Sequence, residues 1–288
     1  MAQQIPIDDD AIARSIDEGS VHEVLPDLVY QRLAIVNVVY YGGPGAAQWV
    51  LVDTGVRGSA RAIRKAAAKR FGADSRPSAI VLTHGHFDHV GSVAELAEVW
   101  DVPVYVHRLE RPYLDGSASY PPPDPTVGGG AMALMSPLYP RGPYDFGDRL
   151  VELPADGSLP NMPGWRWIHA PGHTPGQVAL WRESDRTLVA ADAFVTTAQE
   201  SAYAVALQKP EIHGPPMYYT QDFEAAGATV RALAALEPEL VITGHGRAME
   251  GDDMRAALHA LARDFEQVAV PKHGKYVKDP ARGGNAYR

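Results

Sequence analysis

The sequence predicts a mixed α/β (α+β) fold in which helices pack on β-sheets. In the first half of the chain, short apolar segments alternate with segments of helical composition, which is typical of helices that cover a sheet. In the second half, strand-like segments predominate between 149 and 191, and two helical segments come after them. Hydrophobic residues make up 45% of the 288 residues, so we expect a sizeable core.

The first half contains the clearest alternation. Residues 28–41 are rich in β-branched side chains and predict two strands or one long bent strand, followed by a turn at Gly42–Gly45. The apolar runs 49–52, 79–82 and 104–106 predict short buried strands. Between them, 60–71 is rich in Ala, Arg and Lys and precedes Gly72, which predicts a helix and its end, and 93–100 predicts another helix.

The second half begins after a segment without a regular pattern. Residues 114–147 are rich in proline and glycine and predict a long inserted loop, whose apolar side chains favour packing over flexibility. We predict strands at 149–153, 165–169, 178–182, 187–191 and 240–243, and helices at 223–236 and 254–268. One domain is expected over 1–288, with a basic, loop-like tail at 271–288; a domain boundary within 114–147 is the alternative.

Charge and residue usage argue against several classes of protein. The formal net charge is −9, which disfavours binding to nucleic-acid phosphates, so we expect no nucleic-acid partner. The chain has no cysteine, which excludes disulfides and thiolate metal ligands. No apolar stretch approaches the roughly 20 residues of a membrane span, and the N-terminal residues lack the pattern of a signal peptide. We therefore expect a cytoplasmic protein without a membrane partner.

Three histidines and an aspartate lie within six residues, at His84, His86, Asp88 and His89, directly after a predicted buried strand. On an extended loop, alternate side chains point the same way, so His84, His86 and Asp88 should face one site and His89 its neighbour. Neutral imidazoles and carboxylates suit zinc, iron and manganese. The alternative, histidines that only form hydrogen bonds on a loop, is disfavoured because crowded titratable groups would be desolvated without gain.

Three further candidate ligands follow predicted strands. His173 lies in a turn-rich loop after Gly172, Asp192 directly follows the strand predicted at 187–191, and His245 stands between two glycines. Glycine neighbours let the backbone approach a metal ion closely. Taken singly, each residue would more often be an ordinary polar side chain, but together with the histidine cluster they predict one metal site.

The motif Thr83–His89, followed by a lone His, a lone Asp and a final Gly-His-Gly, resembles the metallo-β-lactamase-fold hydrolases over roughly Val52–Arg247. The resemblance implies a four-layer αββα sandwich and a dinuclear metal site. The implied ligands are His84, His86 and His173 for one ion, Asp88, His89 and His245 for the other, and Asp192 as the bridge. Asp53 matches the family position that orients a ligand imidazole.

The resemblance also implies an activity. Two divalent ions, with zinc expected and manganese or iron as alternatives, would lower the pKa of a shared water, and the resulting bridging hydroxide would attack a carbonyl. Asp88 is the expected catalytic acid and base. The absence of cysteine excludes β-lactamases with a cysteine ligand, and Asp192 argues against the histidine-only type. What remains resembles the glyoxalase II and lactonase branch, whose small-molecule substrates are lactones, thioesters or carboxylic esters.

Two other functions use the same residues. A mononuclear iron dioxygenase acting on a persulfide shares the motif and uses part of this ligand set, and a metal-binding protein without catalytic activity is the second alternative. Metal content would separate them, since two zinc or manganese ions favour hydrolysis and one iron with oxygen uptake favours the dioxygenase. The oligomeric state stays open, with a homo-oligomer among the options.

A last group of polar residues is a weaker prediction for the substrate pocket, where a hydroxyl or imidazole could stabilise an oxyanion. These residues are His213, Tyr203, Tyr218 and Tyr219. For each of them, simple packing within a loop is at least as good an interpretation.

Overall fold

The computed structural model describes residues 4–281, apart from the side chain of Glu18. The strands are β1 (Ile5–Pro6), β2 (Ile16–Glu18), β3 (Val21–Leu25), β4 (Leu28–Leu33), β5 (Val36–Tyr41), β6 (Val50–Val52), β7 (Ala79–Val81), β8 (Val104–Val106), β9 (Leu150–Glu152), β10 (Trp165–His169), β11 (Val178–Arg182), β12 (Thr187–Ala191), β13 (Glu211–Ile212), β14 (Leu240–Thr243) and β15 (Met249–Glu250). The α-helices are α1 (Ala60–Phe71), α2 (Phe87–Val90), α3 (Val93–Trp100), α4 (Arg111–Leu114), α5 (Ala131–Met135), α6 (Ala202–Leu207), α7 (Phe223–Ala234) and α8 (Gly251–Val268). Within 4–281, no helix is both long enough and apolar enough to cross a membrane.

The described residues form two compact units, and neither unit is continuous in the sequence. Unit 1 contains residues 4–13, 120–141 and 168–281, and unit 2 contains residues 14–119 and 142–167. A single domain over the whole chain therefore stays a prediction.

Unit 2 contains an eight-stranded sheet with the order β2-β3-β4-β5-β6-β7-β8-β9. Neighbouring strands are antiparallel from β2 to β6 and parallel from β6 to β9. In the parallel part, α1 connects β6 to β7, while α2 and α3 connect β7 to β8. Because parallel strands end at the same edge of a sheet, the residues that follow β6 and β7 become neighbours.

Helices α1 and α3 pack on this sheet through aromatic contacts. Trp49, which directly precedes β6, stacks on Phe71 of α1 with ring centroids 4.4 Å apart and meets Trp100 of α3 edge-on at 5.6 Å. Trp49 is completely buried, so this cluster excludes water between the helices and the strands. Both helices have the bounds that the sequence predicts.

Two strands of unit 2 are not predicted by the sequence. The hairpin partners β2 and β3 lie at the antiparallel end of the sheet, and every residue of β3 is only partly buried. A strand that is half exposed on both faces needs no alternation of apolar and polar residues, so its sequence carries no signal. By contrast, the segment 28–41 forms the two strands β4 and β5, which is one of the two arrangements expected.

Unit 1 contains a five-stranded sheet with the order β10-β11-β12-β14-β15. Strands β12 and β14 are parallel, with Thr187 opposite Leu240 and Ala191 opposite Thr243. Helices α7 and α8 share one buried apolar cluster with β11, β12 and β14, which contains Trp181, Val230 and Phe265. The residues after β12 and β14 therefore emerge at one edge of a sheet whose strands the core holds in place.

The proline- and glycine-rich segment 114–147 is partly helical and only partly packed, since Met132 is buried whereas Leu134 and Leu138 are 72% and 82% exposed. Its portion within unit 1 includes α5, and its backbone hydrogen bonds join Asp124 to Tyr218 and Met132 to Glu200. The start of the C-terminal tail packs against it as well, since Tyr276 donates a hydrogen bond to the Pro122 carbonyl (2.6 Å). Residues 282–288 of the predicted basic tail lie outside the described residues.

Candidate metal centre

The histidine cluster of unit 2 begins where β7 ends. All three residues of β7 are buried, and a hydrogen bond from the Leu82 N–H to the Tyr105 carbonyl continues the sheet pairing beyond the strand. The potential ligands that follow are all at least 94% buried: His84, His86, Asp88 and His89. The core therefore presents four ligand-capable side chains at one point, as a preorganised site requires.

The cluster is not an extended loop throughout, and this part of the sequence-based prediction is wrong. The short helix α2 begins after His86, whose carbonyl accepts hydrogen bonds from the N–H groups of His89 (2.9 Å) and Val90 (3.1 Å). Asp88 and His89 thus project from one helical turn, and the alternation expected for a strand does not apply to them. A single turn is too short to leave a helical period in the sequence.

The ring nitrogens within the cluster lie at distances that suit a shared ion. His84 Nε2 and His86 Nδ1 are 3.1 Å apart, and the rings of His84 and His89 have centroids 4.1 Å apart. The ligand atoms of Asp88 and His89 lie within 4.8 Å of each other. Two ligands of a tetrahedral ion with bonds of about 2.0–2.1 Å are separated by about 3.3 Å. The His84–His86 pair therefore has the spacing of two ligands of one ion.

Asp53 follows β6 and connects the two parallel strands at their carboxyl ends. Its Oδ1 accepts the Thr83 N–H (2.8 Å), and its Oδ2 accepts the Thr83 hydroxyl (2.7 Å) and contacts His89 Nδ1 (2.8 Å). A carboxylate can only accept, so Nδ1 of His89 carries the proton and its Nε2 has the lone pair that a metal ion needs. This contact is the one that the predicted orienting role of Asp53 requires.

Glu110 is a residue of this region that sequence reasoning missed. It is completely buried, and its Oε2 accepts a hydrogen bond from the N–H of Gly85 (3.0 Å), the residue between His84 and His86. This hydrogen bond ties the backbone of the cluster to a buried side chain and so holds Gly85 in place. No signal in the sequence distinguishes this glutamate from an exposed one.

In unit 1, three predicted ligands meet at the edge of the sheet. Asp192 follows β12 and His245 follows β14, and the parallel pairing of these strands brings Asp192 Oδ2 within 3.0 Å of His245 Nε2. The same oxygen lies 3.5 Å from Nε2 of His173. The Nδ1 of His173, on the other side of its ring, lies 3.3 Å from the Thr220 hydroxyl. All three predicted ligands are at least 98% buried.

The glycines beside His173 and His245 are required by close backbone contacts. A Cβ at Gly246 would lie 2.2 Å from Thr196 Oγ1, and a Cβ at Gly172 would lie 2.3 Å from the backbone nitrogen of Ala226. Both glycines have positive φ values, 99° and 128°. Thr196 also holds the His245 loop, since its hydroxyl donates to the Arg247 carbonyl (2.7 Å). These glycines therefore let the ligand loops pack against neighbouring backbone.

The residues predicted for the substrate pocket have varied environments within unit 1. His213 is buried in a polar network, where its Nε2 lies 3.3 Å from Glu200 Oε2 and 2.9 Å from Gln4 Nε2. Tyr218 and Tyr219 are buried with rings 5.1 Å apart, whereas Tyr203 is 71% exposed. A pocket role for these four residues stays a prediction.

Comparison with known proteins identifies the family. The sequence profile of the "Metallo-beta-lactamase superfamily" matches residues 32–245, which is well over half of the chain. The chain belongs to this superfamily. The family and the mixed α/β fold class predicted from the sequence are thereby confirmed.

Two relatives of the chain come from Bacillus subtilis (strain 168). The chain is 43% identical over 255 residues to "Probable metallo-hydrolase YflN", a match that covers 88% of this chain and 97% of the relative. It is 29% identical over 196 residues to "Probable metallo-hydrolase YybB", a match that covers 68% of this chain and 74% of the relative. The first match extends over nearly the whole of both proteins.

Two solved structures resemble the chain in fold. The structure described as "TTHA1623 in a di-iron-bound form" has a TM-score of 0.52 and 25% identity, and it covers 82% of this chain and 96% of its own. The structure of BLEG-1, a B3 metallo-β-lactamase, has a TM-score of 0.51 and 23% identity, and the match covers 77% of this chain and 93% of BLEG-1. At the latter identity the likeness shows the fold alone.

Proposed function

We propose that the protein is a dinuclear metal-dependent hydrolase that cleaves a lactone, thioester or carboxylic ester bond in a small molecule. The proposed ligands are the seven that the family motifs imply: His84, His86, Asp88, His89, His173, Asp192 and His245. Membership of the superfamily supports it, as does the description of both B. subtilis relatives as probable metallo-hydrolases.

The observation that carries the proposal is the position of Asp192. One of its carboxylate oxygens lies 3.0 Å from the Nε2 of His245 and 3.5 Å from the Nε2 of His173. We assign these two imidazoles to different ions. Asp192 would then hold both ions, since the same carboxylate oxygen lies near both imidazoles.

The chemistry of the ligand set fits divalent transition metals. Five imidazoles and two carboxylates, all buried, suit zinc, iron or manganese, and the chain has no cysteine to select a softer ion. We propose zinc as the metal. Iron is the alternative, because TTHA1623 is described in a di-iron-bound form.

The proposed roles of the residues follow from their contacts. When bound, two divalent ions supply Lewis acidity toward the substrate carbonyl and lower the pKa of water toward neutrality. Asp88, buried next to His89, accepts the proton of the attacking water and transfers it to the leaving group. Asp53 holds the His89 ring through Nδ1, and Glu110 holds the backbone at Gly85. Both keep ligand atoms in position while the bond is cleaved.

The test combines metal analysis with hydrolysis assays. The purified protein is loaded with zinc, manganese or iron, its metal content is measured by mass spectrometry, and turnover is assayed on panels of lactones, thioesters and aryl esters. His86→Ala and Asp192→Ala are compared with His259→Ala, an exposed histidine on α8 that contacts Glu237. We expect two ions per chain in the wild type and in His259→Ala. The other two variants should lose metal, and their kcat/KM should fall by at least about 10²-fold.

Different outcomes point to different errors. If protein that holds two ions hydrolyses no compound of the three panels, the ester-type substrate is refuted. If the protein holds one iron per chain and consumes oxygen in the presence of a persulfide, the dioxygenase alternative takes the place of the hydrolase proposal. Full metal content and full rate in Asp192→Ala contradict the bridging role.

A further inference from the structure

Thr220 lies in the loop between β13 and α7, and it is completely buried. Its hydroxyl donates a hydrogen bond to the Pro216 carbonyl (2.8 Å), and the same oxygen lies 3.3 Å from the Nδ1 of His173. A hydroxyl has only one hydrogen, and the Pro216 carbonyl takes it, so toward the imidazole the oxygen of Thr220 accepts. The proton of the His173 ring is therefore on Nδ1.

The opposite nitrogen of the His173 ring faces Asp192. A neutral imidazole has a proton on one nitrogen and a lone pair on the other. With the proton on Nδ1, the lone pair is on Nε2, which lies 3.5 Å from Asp192 Oδ2. If Nε2 carried the proton, no lone pair would remain there for a metal ion. Thr220 therefore selects the tautomer of His173 that can bind a metal ion through Nε2.

The place of the hydroxyl does not depend on the imidazole, because other contacts hold the backbone around Thr220. The N–H groups of Gln221 and Asp222 both donate to the carbonyl of Gly172 (3.0 Å each), the residue before His173. The side chain of Asp222 also accepts a hydrogen bond from the first turn of α7. These residues all belong to unit 1. The loop and the ligand-bearing turn thus form one hydrogen-bonded assembly with the hydroxyl beside the ring.

We propose that Thr220 is the positioning residue of His173: its hydroxyl keeps the ring proton on Nδ1 and so leaves the Nε2 lone pair to a divalent metal ion. The inference rests on the proposed function, which assigns an ion to His173. Within unit 1 it is the counterpart of the contact between Asp53 and His89 in unit 2. Groups that orient a ligand imidazole typically contribute about 10- to 100-fold to metal affinity. No covalent bond changes, and Thr220 does not contact the substrate.

The test starts from Thr220→Val, which replaces the hydroxyl by a methyl group and changes the volume little. The Pro216 carbonyl keeps hydrogen bonds from the N–H groups of Tyr219 (3.2 Å) and of residue 220 (3.1 Å), so the loop is expected to fold. The variant offers Nδ1 of His173 no acceptor at position 220, so the proton is more stable on Nε2, opposite Asp192. Competition with a chromophoric chelator should then show about tenfold weaker zinc binding, the lower end of the range because the lost acceptor is uncharged.

Two variants control for the substitution itself. Thr220→Ser keeps the hydroxyl and should bind zinc within twofold of wild type. Thr229→Val removes a buried hydroxyl that donates to the Pro171 carbonyl (2.7 Å), two residues before His173. It perturbs the same ligand-bearing turn but leaves the acceptor at Thr220 in place. Its zinc affinity should also stay within twofold, even where its Tm falls.

A spectroscopic measurement reports on the ring proton directly. In the full-length, zinc-loaded protein with ¹⁵N-labelled histidine, the Nδ1–H of His173 should give an exchange-protected resonance in wild type and in Thr220→Ser. We expect this resonance to broaden or disappear in Thr220→Val, because the N–H has lost its buried acceptor. Thr229→Val should retain it. A purely structural role of the hydroxyl would not produce this difference between the two valine variants.

Several results would overturn the inference. Zinc affinity of Thr220→Val within twofold of wild type is one, and an unchanged His173 N–H resonance in that variant is another. An equal loss of affinity in Thr229→Val, or failure of both Thr220→Val and Thr220→Ala to fold, would assign the hydroxyl a structural role only.

None of these measurements needs turnover, which separates the inference from the proposed function. If the wild type binds zinc with the expected dependence on Thr220 but hydrolyses none of the ester panels, the proposed activity fails and the inference stands. If the wild type hydrolyses esters and Thr220→Val binds zinc as tightly, the inference fails and the proposed activity stands. A wild type that binds no divalent ion refutes both.

Discussion

Exchange of Asp53 for asparagine should weaken metal binding by changing the tautomer of His89. The carboxylate now faces His89 Nδ1 at 2.8 Å and can only accept a hydrogen bond, which keeps the proton on Nδ1. An amide that turns its NH2 group toward His89 becomes a donor. The imidazole must then accept at Nδ1 and carry its proton on Nε2, the atom assigned to the metal ion.

The magnitude follows from the hydrogen bonds that the variant keeps. The carboxylate meets three donors: the Thr83 N–H, the Thr83 hydroxyl and His89 Nδ1. The amide oxygen still accepts the Thr83 N–H, and the hydroxyl can rotate to accept from the amide. In the metal-bound form, where His89 keeps its proton on Nδ1, the contact with His89 is lost, and a hydrogen bond to a charged group contributes about 1.5–3 kcal/mol. Since 1.4 kcal/mol is a factor of about ten, metal binding should weaken about 10- to 100-fold.

The assay is competition for zinc with a chromophoric chelator, measured for the wild type and for Asp53→Asn. Asp74→Asn, an exposed aspartate of the same unit, removes the same charge and should bind zinc as the wild type does. Circular dichroism checks that each variant is folded. Zinc affinity of Asp53→Asn within twofold of wild type would refute the argument from the His89 tautomer.

Two further predictions concern stability. Burial alone would raise the pKa of Asp124, but hydrogen bonds from Thr126 and the Lys275 N–H lower it below its usual value. A depressed folded-state pKa gives stability that is present above the unfolded pKa of about 3.9 and is lost as the pH falls through the folded value. In urea unfolding, the free energy of unfolding of the wild type should therefore exceed that of Asp124→Asn at pH 6, and the difference should narrow below pH 4. A constant difference down to pH 3 would contradict this. Gly246→Ala should lower the free energy of unfolding more than Gly58→Ala does, because only at Gly246 does the added Cβ lie 2.2 Å from an atom of Thr196. Gly58→Ala should lower it by about 1–2 kcal/mol, through its positive φ alone. Equal losses in the free energy of unfolding would disprove the steric argument.

The elements that the sequence predicts well are those whose pattern is local. Helices α1 and α3 and strands β8, β10, β11, β12 and β14 have the predicted bounds, because apolar runs and helix-forming residues act within a few positions. The strands β2 and β3 are missed because partial exposure leaves no alternation in them. The single turn of α2 is missed because four residues are too few to establish a helical period.

For the site, the types of candidate ligand, their order and the family can be predicted from the sequence alone, since imidazoles and carboxylates at these positions are a chemical signature. The surroundings of these side chains depend on the tertiary structure. Asp53 reaches Thr83 across 30 residues, and Glu110 reaches Gly85 across 25. Such contacts depend on which strands lie side by side, and no local pattern records that.

Tyr144 shows the same division most clearly. In the sequence it is one tyrosine in a loop rich in proline and glycine, less conspicuous than Tyr218 and Tyr219. Folding buries its hydroxyl. Burial of a polar group is a property of the packed chain, because the same residue type is well solvated in an open loop and costly inside a protein. The candidate ligands can therefore be predicted from the sequence, whereas the residues that orient them depend on the fold.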